Sequence, residues 1–333
     1  MIFTCLSLIG GLIFLTLGAN ALVKGAVSTA LRANISPLLI GLTIVGFGTS
    51  TPELLASMQA AWQGNDGIAV GNIVGSNIFN ILAILGITAL VRKTHFSHHA
   101  WGKSGMVMLA VTVLGCMAMY AMPTLPRWLG ALALGLLGLY VYWEFIQNKN
   151  HPTSPAESDD LTREKPLAPL VAGGFIVGGL AGLMLGANLL VTGAVTLAQL
   201  WGVSDTIIGL TIVAAGTSLP ELATSVVGAM RKQPEIAIGN IIGSNIFNLI
   251  GILGATTLVM PLSVSPQIAG FDIWIMLAST VALLVFARVG YRLTRSEGAL
   301  LLAGYVLYAT YLAQSAAVAQ PITNTMNNMP FLG

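Results

Sequence analysis

Apolar residues along this chain gather into long runs separated by short polar or charged breaks. A helix needs about 20 such residues to cross a membrane. The runs fall near residues 5–31, 37–62, 68–91, 104–122, 126–147, 169–199, 205–230, 236–260, 268–287 and 298–319. They predict an all-α integral membrane protein with ten transmembrane helices. Between the fifth and sixth runs lies the one clearly aqueous stretch, QNKNHPTSPAESDDLTREKP, whose Pro, Ser and charge read as a linker. The N-terminal MIFTCLSLIG has no basic region ahead of its apolar residues, so the first run is expected to stay as a span rather than be cleaved as a signal.

The pattern then repeats. Residues 41–54 read GLTIVGFGTSTPEL and 209–222 read GLTIVAAGTSLPEL, while 68–80 read IAVGNIVGSNIFN and 236–248 read IAIGNIIGSNIFN. The offset is 168 residues throughout, and it extends upstream to Asn20 and Asn188 in the first run of each half. This gives a first transmembrane repeat at 1–147 with its motifs at 41–86, and a cytoplasmic linker at 148–168. A second repeat at 169–319 has its motifs at 209–254, and a short external tail covers 320–333. Five spans per repeat is an odd number, so the second copy enters the membrane from the opposite face. Such inverted repeats are the usual construction of secondary transporters that bind substrate near the bilayer midplane. The shared positions are polar more than Leu, Val or Ile, which argues against a duplication kept only for packing.

Composition and charge agree with this reading. Charged residues are 8% of the chain, far below the quarter or so of a soluble domain, so the water-facing surface is small. A net charge of +2 gives no reason to expect nucleic acid. Cys5 and Cys116 both lie in apolar runs and match neither a disulfide framework nor zinc spacing. Basic residues concentrate in cytoplasmic loops. Arg32, Arg92, Lys93, Lys103, Lys149, Arg163, Lys165, Arg231, Lys232, Arg288, Arg292 and Arg295 fall on one side of the ten-span arrangement, and Arg127 alone on the other. Lys24 lies within the first span, toward its cytoplasmic end, where it can snorkel. Both termini are therefore expected on the external, periplasmic side of a plasma (inner) membrane.

Of 12 carboxylates, only Glu53 and Glu221 lie well inside a span, and they are repeat equivalents. Ionisable groups at that depth are costly and functional by default. Each sits in a Gly-Thr-Ser-x-Pro-Glu motif. Proline removes a backbone donor, so the helix should break just before Pro52 and Pro220, with Ser50 or Ser218 capping the new half-helix. Carbonyls freed by the break are tolerated only where they line a cavity. In the next span Asn72, Ser76 and Asn80 share one helix face, as do Asn240, Ser244 and Asn248. These stripe residues are read as ligands. Asn77 and Asn245 suit interhelical hydrogen bonding. Carboxylate, hydroxyl, amide and carbonyl oxygens without His or Cys suit calcium and also sodium. Two carboxylates balance one divalent ion or a pair of monovalent ions, a physical basis for exchange. Protonation of either should compete with ions.

At these motifs the sequence resembles the sodium/calcium exchanger family of the cation/calcium antiporter superfamily, in its prokaryotic inner-membrane form. The paired motifs are similar to its alpha repeats, and the resemblance covers nearly the whole chain. It implies a calcium/sodium antiporter working by alternating access, not an enzyme. The transported ions would be calcium and sodium (or protons), with membrane lipid around the protein and no cofactor. The ligands it implies are the carbonyl of Gly46, Thr49, Ser50, Glu53, Ser76 and Asn80, with the carbonyl of Ala214, Thr217, Ser218, Glu221, Ser244 and Asn248. It also implies that the spans holding Asn20 and Asn188 slide against a fixed bundle. Many relatives carry an aspartate where this chain has Asn248, so this site has one carboxylate fewer, which leaves the counter-ion open. The large cytoplasmic calcium-sensing region of animal exchangers is absent, since the central linker is short.

Other readings remain at this point. A proton/calcium antiporter, or a potassium-dependent exchanger, differs in counter-ion, and sodium-driven against pH-driven calcium uptake separates the first from sodium exchange. A cation channel is a different class, which paired buried carboxylates in broken helices argue against. An intramembrane serine protease needs a His at membrane depth, but His95, His98, His99 and His151 lie in loops; an aspartyl type needs two buried Asp residues. The His95/His98/His99 group reads as a solvated loop cluster.

Overall fold

The computed structural model describes residues 2–95, 103–150, 166–201, 214–288 and 292–327. Most of the linker, the first half of the run predicted at 205–230, the end of the external tail, His98, His99 and His151 lie outside the described residues. Apart from short two-residue strands the described chain is helical. We number its helices α1 (Ile2–Ala33), α2 (Pro37–Thr49), α3 (Thr51–Trp62), α4 (Asp66–Val91), α5 (Gly105–Ala121) and α6 (Arg127–Asn150). The second half supplies α7 (Pro169–Leu200), a turn at Ala214–Gly216, α8 (Leu219–Met230), α9 (Pro234–Val259), α10 (Ile268–Arg288) and α11 (Arg295–Asn327). Among the described residues six of these are long and apolar enough to span a membrane, or seven if α2 and α3 form one bent span. Large apolar side chains such as Phe3, Leu17, Tyr142, Leu170 and Leu307 are exposed, as lipid-facing positions must be.

Local chemistry sets the ends. Ser36 caps α2, its hydroxyl accepting from Leu39 N at 3.2 Å, and Pro37 opens the helix where no backbone donor is needed. Pro169 and Pro234 begin α7 and α9 in the same way. The predicted break before Pro52 is present: α2 ends at Thr49, and α3 leaves at 41° to it. π-Helical turns were not foreseen; they lie at Gly41–Val45, Asn80–Ile84, Phe247–Ile252 and Ile268–Asp272. Such turns concentrate at functional sites, and the second and third begin at Asn80 and one residue before Asn248.

The two short strand pairs are related by the repeat offset. Strand β1 (Thr94–His95) pairs antiparallel with β4 (Arg292–Leu293), and β2 (Thr124–Leu125) with β3 (Leu262–Ser263). Shifting Thr94↔Leu293 by the 168-residue offset gives Leu262↔Leu125, which is the register observed in the second pair. The first pair brings Arg92 and Lys93 beside Arg292, and the second lies next to Arg127.

Helices α1 and α7 run antiparallel in backbone contact. A Cβ added at Gly18 would lie 2.7 Å from Leu183 N and 2.8 Å from Gly179 O, and one at Gly186 would lie 2.6 Å from Leu15 N. Glycines are what let two membrane helices approach so closely. Their apolar side chains, with Ile40, Val45 and Ile236, form one core cluster. The larger one surrounds α4 and α9.

Candidate ion site

Glu53 and Glu221 stand at the first turns of α3 and α8, with side chains 1% and 0% exposed. A helix N-terminus favours negative charge, which is part of what holds two acids so far from water. Each is reached by the serine of the other repeat. Ser218 Oγ donates to Glu53 Oε1 at 2.7 Å, and Ser50 Oγ donates to Glu221 Oε1 at 2.8 Å. Two acids from distant sequence thus share one cross-braced site. The serines do not cap their own helices as expected. Their hydroxyls are used across the repeat interface, where a carboxylate is the stronger acceptor.

The second oxygen of each acid has no partner. Ser76 Oγ, Asn80 Oδ1 and Asn248 Oδ1 are buried without one too. Buried polar atoms are ordinarily satisfied, so a concentration of bare oxygens in one site calls for a positive partner. Removing an ionised carboxylate from water costs several kcal/mol. A cation that gathers these oxygens offsets that cost. Among the described residues there is no group of three or more His, Cys, Asp or Glu, so the site is a two-acid, oxygen-only one.

The remaining predicted residues are divided by what their atoms already do. Thr49 Oγ1 lies 3.0 Å from Val45 O and from Asn240 Oδ1, and 3.3 Å from Gly46 O. Ser244 Oγ donates to Gly46 O at 3.2 Å. Thr217 is half-buried and engaged, and Ala214 contributes backbone at the turn before α8.

The amide nitrogens of Asn72 and Asn240 are engaged. Asn72 Nδ2 donates to Glu53 O at 3.2 Å and Ser57 Oγ at 2.9 Å, and Asn240 Nδ2 to Glu221 O at 3.2 Å and Ser225 Oγ at 2.9 Å. Each amide staples the acid-bearing helix to the next helix of its own repeat. Asn77 and Asn245 bond back to Ile73 O and Ile241 O at 2.7 Å within their own helices, not between helices. Ser57 and Ser225 were missed by the sequence reading. Their signal was a serine four residues after each glutamate, kept at the same offset.

The geometry is asymmetric where the sequence is not. Ser244 is bound to Gly46 O, while its equivalent Ser76 has no partner. Thr49 is 1% exposed and Asn240 0%, whereas Thr217 and Asn72 are half-buried. Gly239 and Gly243 of α9 press on the backbone of α2 at Leu38 O, Gly41 Cα and Leu42 O; the equivalent of that part of α2 in the second half lies outside the described residues. The site is therefore closed toward the end of the molecule that carries Arg231 and less enclosed toward the end that carries Gln63.

Comparison with known proteins agrees with this arrangement. A family profile described as sodium/calcium exchanger protein matches twice, at residues 3–146 and 171–314. The protein CaxA of Alkalimonas amylolytica is 42% identical, over 92% of this chain and 97% of that one. The sodium/calcium exchanger MaX1 of Methanosarcina acetivorans is 35% identical, over 92% of this chain and 97% of its own. The inner membrane protein YrbG of Escherichia coli is 35% identical, over 92% and 95%. A solved structure of the sodium-calcium exchanger NCX_Mj superposes with a TM-score of 0.80 at 30% identity, covering 93% of this chain and 99% of that one.

Proposed function

This chain belongs to the sodium/calcium exchanger family, and from that premise we propose that it exchanges calcium for sodium across the membrane by carrying each in turn at the Glu53–Glu221 site. The observation that carries this reading is the set of five buried, unpartnered oxygens on Glu53, Glu221, Ser76, Asn80 and Asn248. A calcium ion takes six to eight such hard oxygens. Ser50, Ser218, Thr49, Thr217, Ser244 and the carbonyls of Gly46 and Ala214 are the pool from which the rest of a calcium shell, or the ligands of a second monovalent ion, are drawn when their present bonds are exchanged for the ion.

Ten spans in two inverted five-helix repeats account for the pseudo-twofold packing. α5, α8 and α11 are read as spans alongside the six long apolar helices and the bent pair α2–α3. Antiparallel contact between the equivalent helices α1 and α7 supports inversion, as does the strand register. Basic loops put the Arg231 end in the cytoplasm and both termini outside. In this conformation the site is then closed inward and less enclosed outward, one of the two states an alternating-access carrier needs.

The charge of the site bounds the stoichiometry. Two carboxylates faced by two amides carry at most two negative charges, neutralised by one calcium ion or two sodium ions. A neutral occupied site crosses low dielectric cheaply and an empty, doubly charged one does not, which makes exchange obligatory and electroneutral. The test is calcium flux into proteoliposomes under an imposed sodium gradient, at several clamped membrane potentials, with a pH gradient as a separate arm. Sodium-driven flux that ignores the potential is expected. Flux driven only by the pH gradient, or steeply dependent on potential, would overturn this assignment.

A further inference from the structure

The same twofold relation identifies a polar contact that has a partner in one half of the molecule only. Arg231, just beyond the end of α8, donates from Nε to Asn20 Oδ1 in the middle of α1 at 2.7 Å. Asn20 Nδ2 in turn donates to Thr16 O at 2.7 Å, which fixes the orientation of its amide. The 168-residue offset sends Asn20 to Asn188 of α7 and Arg231 to Gln63, just beyond the end of α3. The strand register, the two serine–glutamate bonds and the two asparagine staples all obey this map. The Asn20–Arg231 bond does not, since Asn188 and Gln63 are both exposed and no hydrogen bond joins them.

The exception coincides with the closure of the site. At the Arg231 end α1 packs along α8, Ser244 is bonded to Gly46 O and Thr49 to Asn240. At the Gln63 end α7 has no comparable packing on α3, and Ser76 is unpartnered. A chain with two near-identical halves in unequal conformations has a second state of similar energy, in which the halves exchange conformations. The glycine-lined contact of α1 with α7 leaves backbone against backbone, so the two helices shift as one body. In the exchanged state α7 leans on α3, Asn188 faces Gln63, and Asn20 has left Arg231.

We propose that Asn20–Arg231 is a state-specific latch that holds the Arg231 face closed and biases the resting carrier toward the state open at the Gln63 face. The bias arises because the latch has an arginine and its counterpart a neutral glutamine. A guanidinium donor makes a stronger bond to an amide oxygen than a glutamine amide does. The latch rests on the alternating-access reading above. It adds a cause for the resting preference, which a fully symmetric site would lack.

The test is the Michaelis constant for calcium measured from each face, in sealed membrane vesicles of the two opposite orientations. Apparent affinity on a face scales with the fraction of carriers open to it. Arg231→Gln makes the two halves alike, and it should lower KM on the Arg231 face by up to about fivefold, the worth of one such bond. Gln63→Arg builds the missing counterpart beside Asn188, at the opposite end of the molecule and on an exposed residue. It should lower the same constant in the same direction, and the double variant should lower it further. A purely structural role for Arg231 would not make two substitutions on opposite faces act alike. If Arg231→Gln leaves that constant unchanged or raises it, or if Gln63→Arg has no effect, the latch is wrong. Absence of sodium-coupled calcium flux in the unmodified protein would instead count against the exchange reading.

Discussion

Gly243 stands where α9 crosses α2 so closely that one methyl group has no room. A Cβ there would run into Leu42 O and lie 2.7 Å from Leu42 Cα and 2.8 Å from Leu42 C. Forcing a methyl group into packed backbone costs about 1–3 kcal/mol, roughly a 5- to 150-fold shift in an equilibrium. The strain is relieved only by loosening the α2–α9 crossing, and in this account that crossing closes the Arg231 face beside the sliding pair α1 and α7. Gly243→Ala should therefore transfer carriers from the state described here to its exchanged counterpart. Calcium KM measured from the Gln63 face then rises by about threefold or more, following the shrinking fraction open to that face. KM on the Arg231 face falls or holds. Gly75→Ala, by the twofold map, obstructs the reverse closure and moves both constants the other way. Unchanged constants on both faces in Gly243→Ala, with a normal yield of monodisperse protein on size exclusion, would refute the reasoning.

Two further outcomes follow from the site. Asn240→Ala removes the staple to Glu221 O and Ser225 and leaves the buried Thr49 hydroxyl without one of its partners. A loss of about 1–3 kcal/mol should appear as a lowered melting temperature in detergent, and a wild-type melting curve would show that the staple contributes nothing. Each proton taken up by Glu53 or Glu221 removes one of the charges that hold the cation, so acid should raise the calcium KM and leave the maximal rate reachable at high calcium. A maximal rate that falls while KM stays constant would place the titrating group outside the site.

Much of this architecture is legible in the sequence because membranes simplify the code. Apolar runs must be helices in lipid, and most described helix ends fall within a few residues of the predicted runs; the exception is α11, which continues to Asn327, into the stretch expected to be an external tail. The repeat offset and the two buried glutamates pointed to the residues that the structure brings together. What the sequence reading missed depends on geometry between the halves. Ser50 and Ser218 have the form of N-caps, and only the approach of the opposite carboxylate diverts them. Asn72 and Asn240 lie on the ligand face, but which way an amide turns depends on a serine in a neighbouring helix. The unequal closure of the two halves is invisible in principle to near-identical motifs, except at positions such as Gln63 and Arg231 where the copies differ.

The central claim is that Glu53 and Glu221 together hold the transported ion. Radioactive calcium uptake into proteoliposomes under a sodium gradient tests it most directly, comparing the unmodified protein with Glu53→Gln and Glu221→Gln. The account predicts that either substitution abolishes sodium-driven uptake, because a single remaining charge balances neither calcium nor a sodium pair. Wild-type uptake by both variants would contradict it.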